Sequence, residues 1–115
     1  MIAEIVSLSG YESQVEALLS EDERMAMEFV IACRPNDHPV IPGTGGFRKA
    51  RWARGGKGKS GGLRVIYFFI AAPGRVYMAA VYAKSRKETL SAADVSALAR
   101  LAAQIRKAAK GGLSS

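Results

Sequence analysis

Length, composition and charge already exclude several classes of protein. The chain has 115 residues, the size of one domain, and its 49% hydrophobic residues are enough to form a core. No apolar run reaches the about 20 residues that span a bilayer, and the start MIAEIVSLSG lacks the features of a signal peptide. One cysteine, Cys33, can form no internal disulfide, so we expect a cytoplasmic protein in which it is a buried apolar residue.

The charge distribution indicates the kind of partner. Seventeen Lys and Arg against ten Asp and Glu give a formal net charge of +7, and eight of the ten acids lie at or before Asp37. The fifty residues from His38 to Lys87 hold eleven basic residues and no acid. A solvated basic face would look similar, but a one-sign segment that alternates with apolar residues is typical of a phosphate-binding surface. We therefore expect a nucleic acid as partner.

The N-terminal third is predicted to be a strand followed by two helices. Residues Ile2 to Leu8 are apolar enough for a short strand. Ser9 and Glu12, and again Ser20 and Glu23, have the spacing of a capping box, which predicts helices from Gly10 to Leu19 and from Glu21 to Cys33. Helical spacing predicts the following buried residues: Val15, Leu18 and Leu19 in the first helix, and Met25, Phe29 and Ala32 in the second.

Three strands are predicted in the middle of the chain. After a Pro- and Gly-rich loop that contains His38, residues Phe47 to Arg54 alternate as in a strand, with Arg48, Ala50, Trp52 and Arg54 on one side and Phe47, Lys49, Arg51 and Ala53 on the other. Gly55 to Gly62 is a basic loop. Leu63 to Ala72 and Val76 to Ala83 are predicted to pair as an antiparallel hairpin around Pro73 and Gly74.

A last helix completes the predicted fold. Ser91 and Asp94 cap it, it runs from Ala92 to Lys110, and Gly111 and Gly112 end it. Its residues with helical spacing would pack on the sheet: Val95, Leu98, Leu101, Ala102 and Ile105. The prediction is therefore a single α+β domain over residues 1–115, with a central antiparallel sheet, two N-terminal helices and a C-terminal helix.

This topology brings basic side chains and a phenol together. In the predicted hairpin Arg64 lies roughly opposite Tyr82 or Lys84, and the basic loop leads directly into Arg64. RNA cleavage needs a base, cations at the phosphate and an acid for the leaving oxygen. With one histidine in the chain, Lys, Arg and Tyr would have to perform these roles, since a lysine among cations has a lowered pKa and arginine stays charged. Phosphate binding without catalysis is the rival interpretation.

Other chemistries fit the sequence less well. One Cys and one His cannot form a structural zinc site, and the acids lie in capping or helix-surface positions that do not suit magnesium. The segments GTGG and GGKGKSGG lack the register of a nucleotide-binding P-loop. Trp52 would either stack on a base or cover the core.

Two segments, PVIPGTGGFRKARWARGGKGKSGGLRVIYFF (39–69) and VYAKSRKETLSAADVSALARL (81–101), resemble the RelE/HigB toxin superfamily, and most closely its HigB branch. The resemblance implies a microbial-ribonuclease-like fold and cleavage of messenger RNA on the ribosome, without metal or cofactor. Carried over by motif, the catalytic residues would be Lys57, Lys59, Arg64, Tyr82 and Lys84, and the RNA-binding residues Arg48, Lys49, Arg51, Trp52 and Arg54. Arg64 and a lysine would stabilise the phosphorane, and Tyr82 would orient the base or transfer a proton. Which lysine is the base stays open, and the chain departs from some relatives in having no tyrosine after Tyr82.

The resemblance also implies a protein partner. Such toxins are paired with an antitoxin, here one with a helix-turn-helix domain, so that the toxin meets operator DNA only through it and meets no membrane. The antitoxin would either cover the basic patch or keep the toxin off the ribosome. Two alternatives stay open: a ParE-like toxin that inhibits gyrase, and a basic nucleic-acid-binding module without activity.

Overall fold

The computed structural model describes residues 2–53, 62–84 and 90–114 of the chain, with side chains up to residue 110. Within these ranges the order of elements confirms the predicted α+β fold. The strands are β1 (Glu4–Ser7), β2 (Arg48–Trp52), β3 (Leu63–Ile70) and β4 (Arg75–Ala83), and the helices are α1 (Tyr11–Leu18), α2 (Glu21–Cys33) and α3 (Ala92–Ser114).

The four strands form one sheet in the order β1-β4-β3-β2. Strands β2, β3 and β4 are antiparallel neighbours, as predicted, and β3 and β4 form the hairpin around Pro73 and Gly74. Strand β1, for which no direction was predicted, pairs with β4 in parallel, with Glu4 opposite Arg75. A parallel pair needs a long connection, and the two helices and the remaining strands between β1 and β4 provide it.

The sheet has two faces that differ in their helical cover. Along β3, Val65 and Tyr67 point toward α1 and α2, where Val15 and Met27 complete the larger core cluster. We call this side the α1–α2 face. The alternate residues Ile66 and Phe68 point toward α3, whose Ala102 and Ile105 belong to the second cluster. We call this side the α3 face. Both core faces follow from the period of two along a strand.

Helix α1 begins differently from the prediction. It starts at Tyr11 after Gly10, which has a φ of 90° and no side chain that could accept a hydrogen bond from the first turn, so the predicted capping box of Ser9 and Glu12 was wrong. A positive φ is easily adopted only by glycine. The Glu12 carboxylate instead accepts a hydrogen bond from the Ser7 hydroxyl at 2.7 Å and forms an ion pair with Arg24 at 2.6 Å. Two of the three residues predicted to be buried, Val15 and Leu19, are buried. The third, Leu18, is partly buried and packs against the same core cluster.

Arg24 is the centre of a network that joins α1 to α2. Besides its two hydrogen bonds to Glu12, its Nε donates to Glu28 at 3.0 Å, and the Tyr11 hydroxyl donates to the same Glu28 oxygen at 2.6 Å. The hydrogen bond from Arg24, followed by the one from Ser7, lowers the pKa of Glu12 to about 2. Burial, followed by the bond to Glu28, raises the pKa of Tyr11 above its ordinary value.

Helix α2 has the predicted bounds but turns a different side to the core. Its capping box is formed as predicted, with the Ser20 and Glu23 side chains each bonded to the other's backbone N–H. Ala32 is buried as predicted, but Met25 and Phe29 are 62% and 58% exposed, and Met27 and Ile31 are buried in their place. Cys33, predicted to be buried, is exposed. The helix carries apolar residues on both sides, so helical spacing alone could not select the buried one.

Helix α3 is anchored by the glycine-rich turn that precedes β2. The Thr44 hydroxyl donates to the Ile41 carbonyl at 2.7 Å and accepts from the Phe47 N–H at 3.1 Å, which closes the turn. Gly45 has a φ of 77°, and a Cβ there would lie 3.1 Å from that of Ala102. The GTGG segment therefore has a packing role. The Ser91 and Asp94 capping box is present as predicted, but the helix continues to Ser114 through the glycines predicted to end it, because glycine weakens a helix without removing its hydrogen bonds.

Candidate active site

A cross-strand row of three residues forms the candidate site. Arg64 of β3 lies between Arg51 of β2 and Tyr82 of β4 in the sheet register. The opposition of Arg64 and Tyr82 confirms the geometry predicted for the hairpin. Tyr82 packs with the α3-face cluster, and directly paired residues share a face, so all three side chains leave the sheet on the α3 face. We call these three residues the basic row.

Burial distinguishes the members of the basic row. Arg64 is 4% exposed, and its Nη1 donates to the Leu63 carbonyl at 3.4 Å. Tyr82 is half-buried, with its hydroxyl oxygen shielded from solvent, whereas Arg51 is exposed. A guanidinium keeps its charge when buried, and a fixed charge in a water-poor site interacts with an anion more strongly than one in water. The row thus runs from an exposed cation through a fixed buried cation to a phenol.

Two lysines extend the basic row. Lys49 lies two residues before Arg51 on the same side of β2 and is half-buried. Lys84 follows Tyr82 by two residues, just beyond β4, and its N–H still donates to the Gly62 carbonyl at 3.3 Å. The pairing of these two backbones continues the strand alternation, which places Lys84 on the side of Tyr82.

Two residues predicted to bind RNA lie on the opposite side of the sheet. Arg48 donates to the His38 carbonyl at 2.6 Å and to the side-chain oxygen of Asn36 at 3.3 Å, which ties the Pro-rich loop to β2. Trp52 packs against the α1–α2 core. The structure therefore separates Arg48 and Trp52 from Arg64 and assigns Trp52 to the core, one of its two predicted roles.

Three further predicted residues, Arg54, Lys57 and Lys59, lie outside the described residues. Their predicted roles rest on the sequence pattern alone.

His38 has a structural contact that the sequence did not indicate. Its Nδ1 is 3.0 Å from the Tyr67 hydroxyl, which donates to the Pro35 carbonyl at 2.7 Å. Because the hydroxyl donates its proton to the Pro35 carbonyl, it accepts a hydrogen bond from a protonated Nδ1 of His38. Burial raises the pKa of Tyr67 to about 12. This pair lies on the α1–α2 face and locks the Pro-rich loop to β3.

A cavity of about 530 Å³ opens beside Tyr82 on the α3 face. Its walls are mostly apolar, with Leu98 and Leu101 from α3, and its polar residues include Gln14 and Asp94. The Gln14 side-chain oxygen accepts from the Val81 N–H at 3.0 Å, which fixes the amide at the end of β4. Sequence reasoning did not find Gln14 or Asp94, because they come from helices far apart in the chain and the capping pattern already explained Asp94.

Residues 43–115 match the sequence model of a known family. The sequence model described as "RelE toxin of RelE / RelB toxin-antitoxin system" matches residues 43–115, which include every residue of the basic row. The chain belongs to the RelE toxin family. It is therefore a RelE-type toxin of a toxin–antitoxin system.

A solved structure supports the fold. A free-state variant of the toxin RelE from E. coli, with two arginines replaced by alanine, matches with a TM-score of 0.58 and 15% sequence identity. The match covers 76% of this chain and 90% of that chain. At this identity the likeness concerns the fold: helices and a sheet in the arrangement of a RelE toxin.

The described ranges also bear on metal binding and on membrane-spanning helices. In residues 2–53, 62–84 and 90–114, no three His, Cys, Asp or Glu side chains are grouped closely enough to hold a metal ion. In the same part of the chain, no helix combines the length and the apolar character needed to cross a membrane.

Proposed function

We propose that this RelE-family toxin is an endoribonuclease that cleaves messenger RNA on the ribosome with protein side chains alone, and so inhibits translation and growth. The observation that carries the proposal is the basic row, in which a buried Arg64 is held between Arg51 and Tyr82. Family membership supports the reaction class.

The proposed reaction is an in-line displacement at phosphorus. The ribose 2′-hydroxyl loses its proton to a base and attacks the adjacent phosphorus, the bond from phosphorus to the 5′-oxygen breaks, and an acid protonates that oxygen. The products are a 2′,3′-cyclic phosphate and a 5′-hydroxyl end. Negative charge grows on the non-bridging oxygens, and a fixed guanidinium stabilises it more in the transition state than in the ground state. Arg64 has this role in the proposal.

Proton transfer is assigned to the residues around Arg64. Tyr82 is its direct cross-strand partner and Lys84 lies at the same end of the hairpin, so both belong to the proposed catalytic set. Lys57 and Lys59 complete the set from the sequence pattern. The proposal leaves the base among these lysines, with Tyr82 orienting it or taking part in the transfer.

The outer part of the α3 face is assigned to binding. Lys49 and Arg51 extend the positive charge along β2, with Arg54 next in sequence, and the chain as a whole carries +7. Such a surface binds phosphates in a salt-dependent manner and suits an approach to ribosomal and messenger RNA. The proposal includes a cytoplasmic location and an antitoxin with a helix-turn-helix domain, through which the toxin meets operator DNA.

The test is a map of messenger-RNA 5′ ends after brief expression in growing cells. Wild type should create new ends within translated codons, Arg64→Ala should create none, and Tyr82→Phe should create fewer. Growth arrest with intact messages would overturn the proposal and point to gyrase. The absence of both arrest and cleavage, with folded protein present, would leave a nucleic-acid-binding module.

A further inference from the structure

The cavity on the α3 face is continuous with the basic row, because Tyr82 belongs to both. Its volume of about 530 Å³ lies within the range of small-molecule sites, about 300–1,000 Å³. Arg64 is the direct cross-strand partner of Tyr82, and such partners are about 5 Å apart. A group bound in the cavity would therefore lie within one nucleotide of a phosphate held by Arg64.

Small side chains and a bulge in the sheet create the space. Ala79 and Ala80 of β4 and Ala97 of α3 line the cavity, where larger residues would close it. The register of β3 and β4 shifts between Ile66 and Tyr67, so the pairing skips Ala79. Successive residues of a regular strand point to opposite faces, and the shift explains how Ala79 and Ala80 both line the same cavity. Bulges of this kind are common beside active sites.

Two polar side chains line this largely apolar space from different helices. The Gln14 side-chain oxygen accepts from the Val81 N–H at 3.0 Å, so the group that Gln14 presents is its N–H₂ donor. Asp94 is the one acid among the described residues that line the cavity. The Ser91 N–H donates to its carboxylate at 3.1 Å and thereby orients it. A carboxylate accepts hydrogen bonds at two oxygens, so this cap and a bound ligand are compatible.

We infer that the cavity binds a guanine base of the messenger RNA, from a nucleotide next to the scissile phosphate, an inference that rests on the proposed function. Asp94 would accept from N1–H and from the 2-amino group, and Gln14 would donate to O6. Among the RNA bases, only guanine presents two neighbouring N–H donors followed by an acceptor on its Watson–Crick edge. Leu98 and Leu101 would cover the flat faces of the base, as apolar side chains do in pockets for unstacked bases.

The chemistry of the walls favours a base over other occupants. A second phosphate would be repelled by the Asp94 carboxylate and is better placed at the exposed cation Arg51. A purely apolar ligand would displace water from Asp94 and Gln14 without replacing its hydrogen bonds. A planar heterocycle with N–H and carbonyl groups satisfies both the apolar walls and the polar side chains.

The experiment measures cleavage on ribosomes programmed with messages that differ in one base. The mapped cuts of wild type should have guanine at one fixed position beside the broken bond. Inosine at that position lacks only the 2-amino group and should be cut about tenfold more slowly by wild type, whereas 7-deazaguanine keeps the Watson–Crick edge and should be cut like guanine. Asp94→Asn should cut the guanine message about tenfold more slowly than wild type and should cut the guanine and inosine messages at rates within about twofold of each other.

Two control variants separate recognition of the base from stability of α3. Ser91→Ala breaks the same capping box but lies outside the cavity and keeps the carboxylate, so it should retain the wild-type preference for guanine over inosine. Ala97→Leu fills the cavity and should slow cleavage of the guanine message. Ala103→Leu makes the same change at another exposed position of α3, outside the cavity, and should cut as wild type.

The possible failures are distinguishable. Wild-type cuts without a fixed guanine, or a preference for guanine over inosine that Asp94→Asn keeps, would overturn the inference and leave the proposed nuclease intact. A preference lost equally in Asp94→Asn and Ser91→Ala would also overturn it, because Asp94 would then act through the helix cap alone. No cleavage by folded wild type on programmed ribosomes would contradict the proposed function together with the inference.

Discussion

The two faces of the sheet are formed by the same strands but differ in their packing and charge. On the α1–α2 face, β3 contributes Val65 and Tyr67 to a closed core, and the polar groups there have protein partners, as in the contacts of Tyr67 with Pro35 and His38. On the α3 face, β3 places Arg64 under the surface, and a cavity of about 530 Å³ opens beside its partner Tyr82. The α3 face therefore combines a buried cation with an open volume of about 530 Å³, whereas the opening on the α1–α2 face between α2 and β2 is about 210 Å³ and is lined by core residues.

Both features of the α3 face are expected to lower the stability of the fold. Burying a guanidinium costs desolvation, and an open cavity forgoes packing. Both features lie on the α3 face, next to each other in the register. A buried charge beside an open cavity is typical of a functional site. Substitutions on the two faces should therefore have different effects.

The largest effect is expected from neighbouring residues of β3 that point to opposite faces. Arg64→Gln removes the buried charge and should slow cleavage of ribosome-bound message by about 10²–10³-fold. Val65→Ala opens a hole in the closed core and should lower the free energy of unfolding by about 2 kcal/mol with cleavage by the folded protein unchanged. Rates on programmed ribosomes and urea denaturation of both variants check this. The reverse pattern would mean that Arg64 is a structural residue.

A smaller effect is expected at the Tyr67 hydroxyl. Tyr67→Phe leaves the Pro35 carbonyl and His38 Nδ1 without this partner and should lower the free energy of unfolding by about 1–2 kcal/mol. The folded state raises the pKa of Tyr67 to about 12, so its contribution is complete below pH 10 and is lost as the pH rises through 12. Denaturation curves at several alkaline pH values should therefore fall more steeply for wild type than for Tyr67→Phe. Equal slopes for wild type and Tyr67→Phe would show that the Tyr67 hydroxyl does not contribute to stability through its hydrogen bonds.

The smallest effect is expected at Glu12. Its pKa is lowered from 4.5 to about 2, so the stability it contributes is present above pH 4.5 and is lost as the pH falls toward 2. Glu12→Gln should reduce stability at pH 6 and should flatten the decline between pH 5 and 2, because the carboxylate that pairs with Arg24 is gone. Urea denaturation at pH 6 and pH 3 measures both. A decline identical to that of wild type would show that other carboxylates dominate acid unfolding.

The sequence predicted most of the fold because most local patterns had one solution. The strand alternation of β2, the hairpin at Pro73 and Gly74 and two of the three capping boxes were confirmed. The failures and the direction left open for β1 have a common cause. Helix α2 had two apolar sides, Gly10 replaced a side-chain cap, and β1 could join the sheet in either direction, so tertiary packing made each choice.

The sequence predicted which strands form the candidate site, but not which side of the sheet carries it. The hairpin register placed Arg64 opposite Tyr82 in advance, and the structure agrees. The division of the basic residues of β2 was also implicit in the alternation, but which side faced the candidate site required knowledge of where α2 and α3 pack. Arg48 therefore seemed equivalent to Arg51 in the sequence, although one anchors a loop and the other lies in the basic row.

This pair of arginines provides the most direct measurement of the central claim, that the α3 face binds and cleaves RNA. Arg51→Ala and Arg48→Ala would be compared for the rate of cleavage of ribosome-bound message, each at a temperature where denaturation curves show it folded. We predict a loss of about tenfold or more for Arg51→Ala, since a phosphate contact is removed, and a rate within about twofold of wild type for Arg48→Ala. Equal losses, or a larger loss for Arg48→Ala, would contradict the assignment of function to the α3 face.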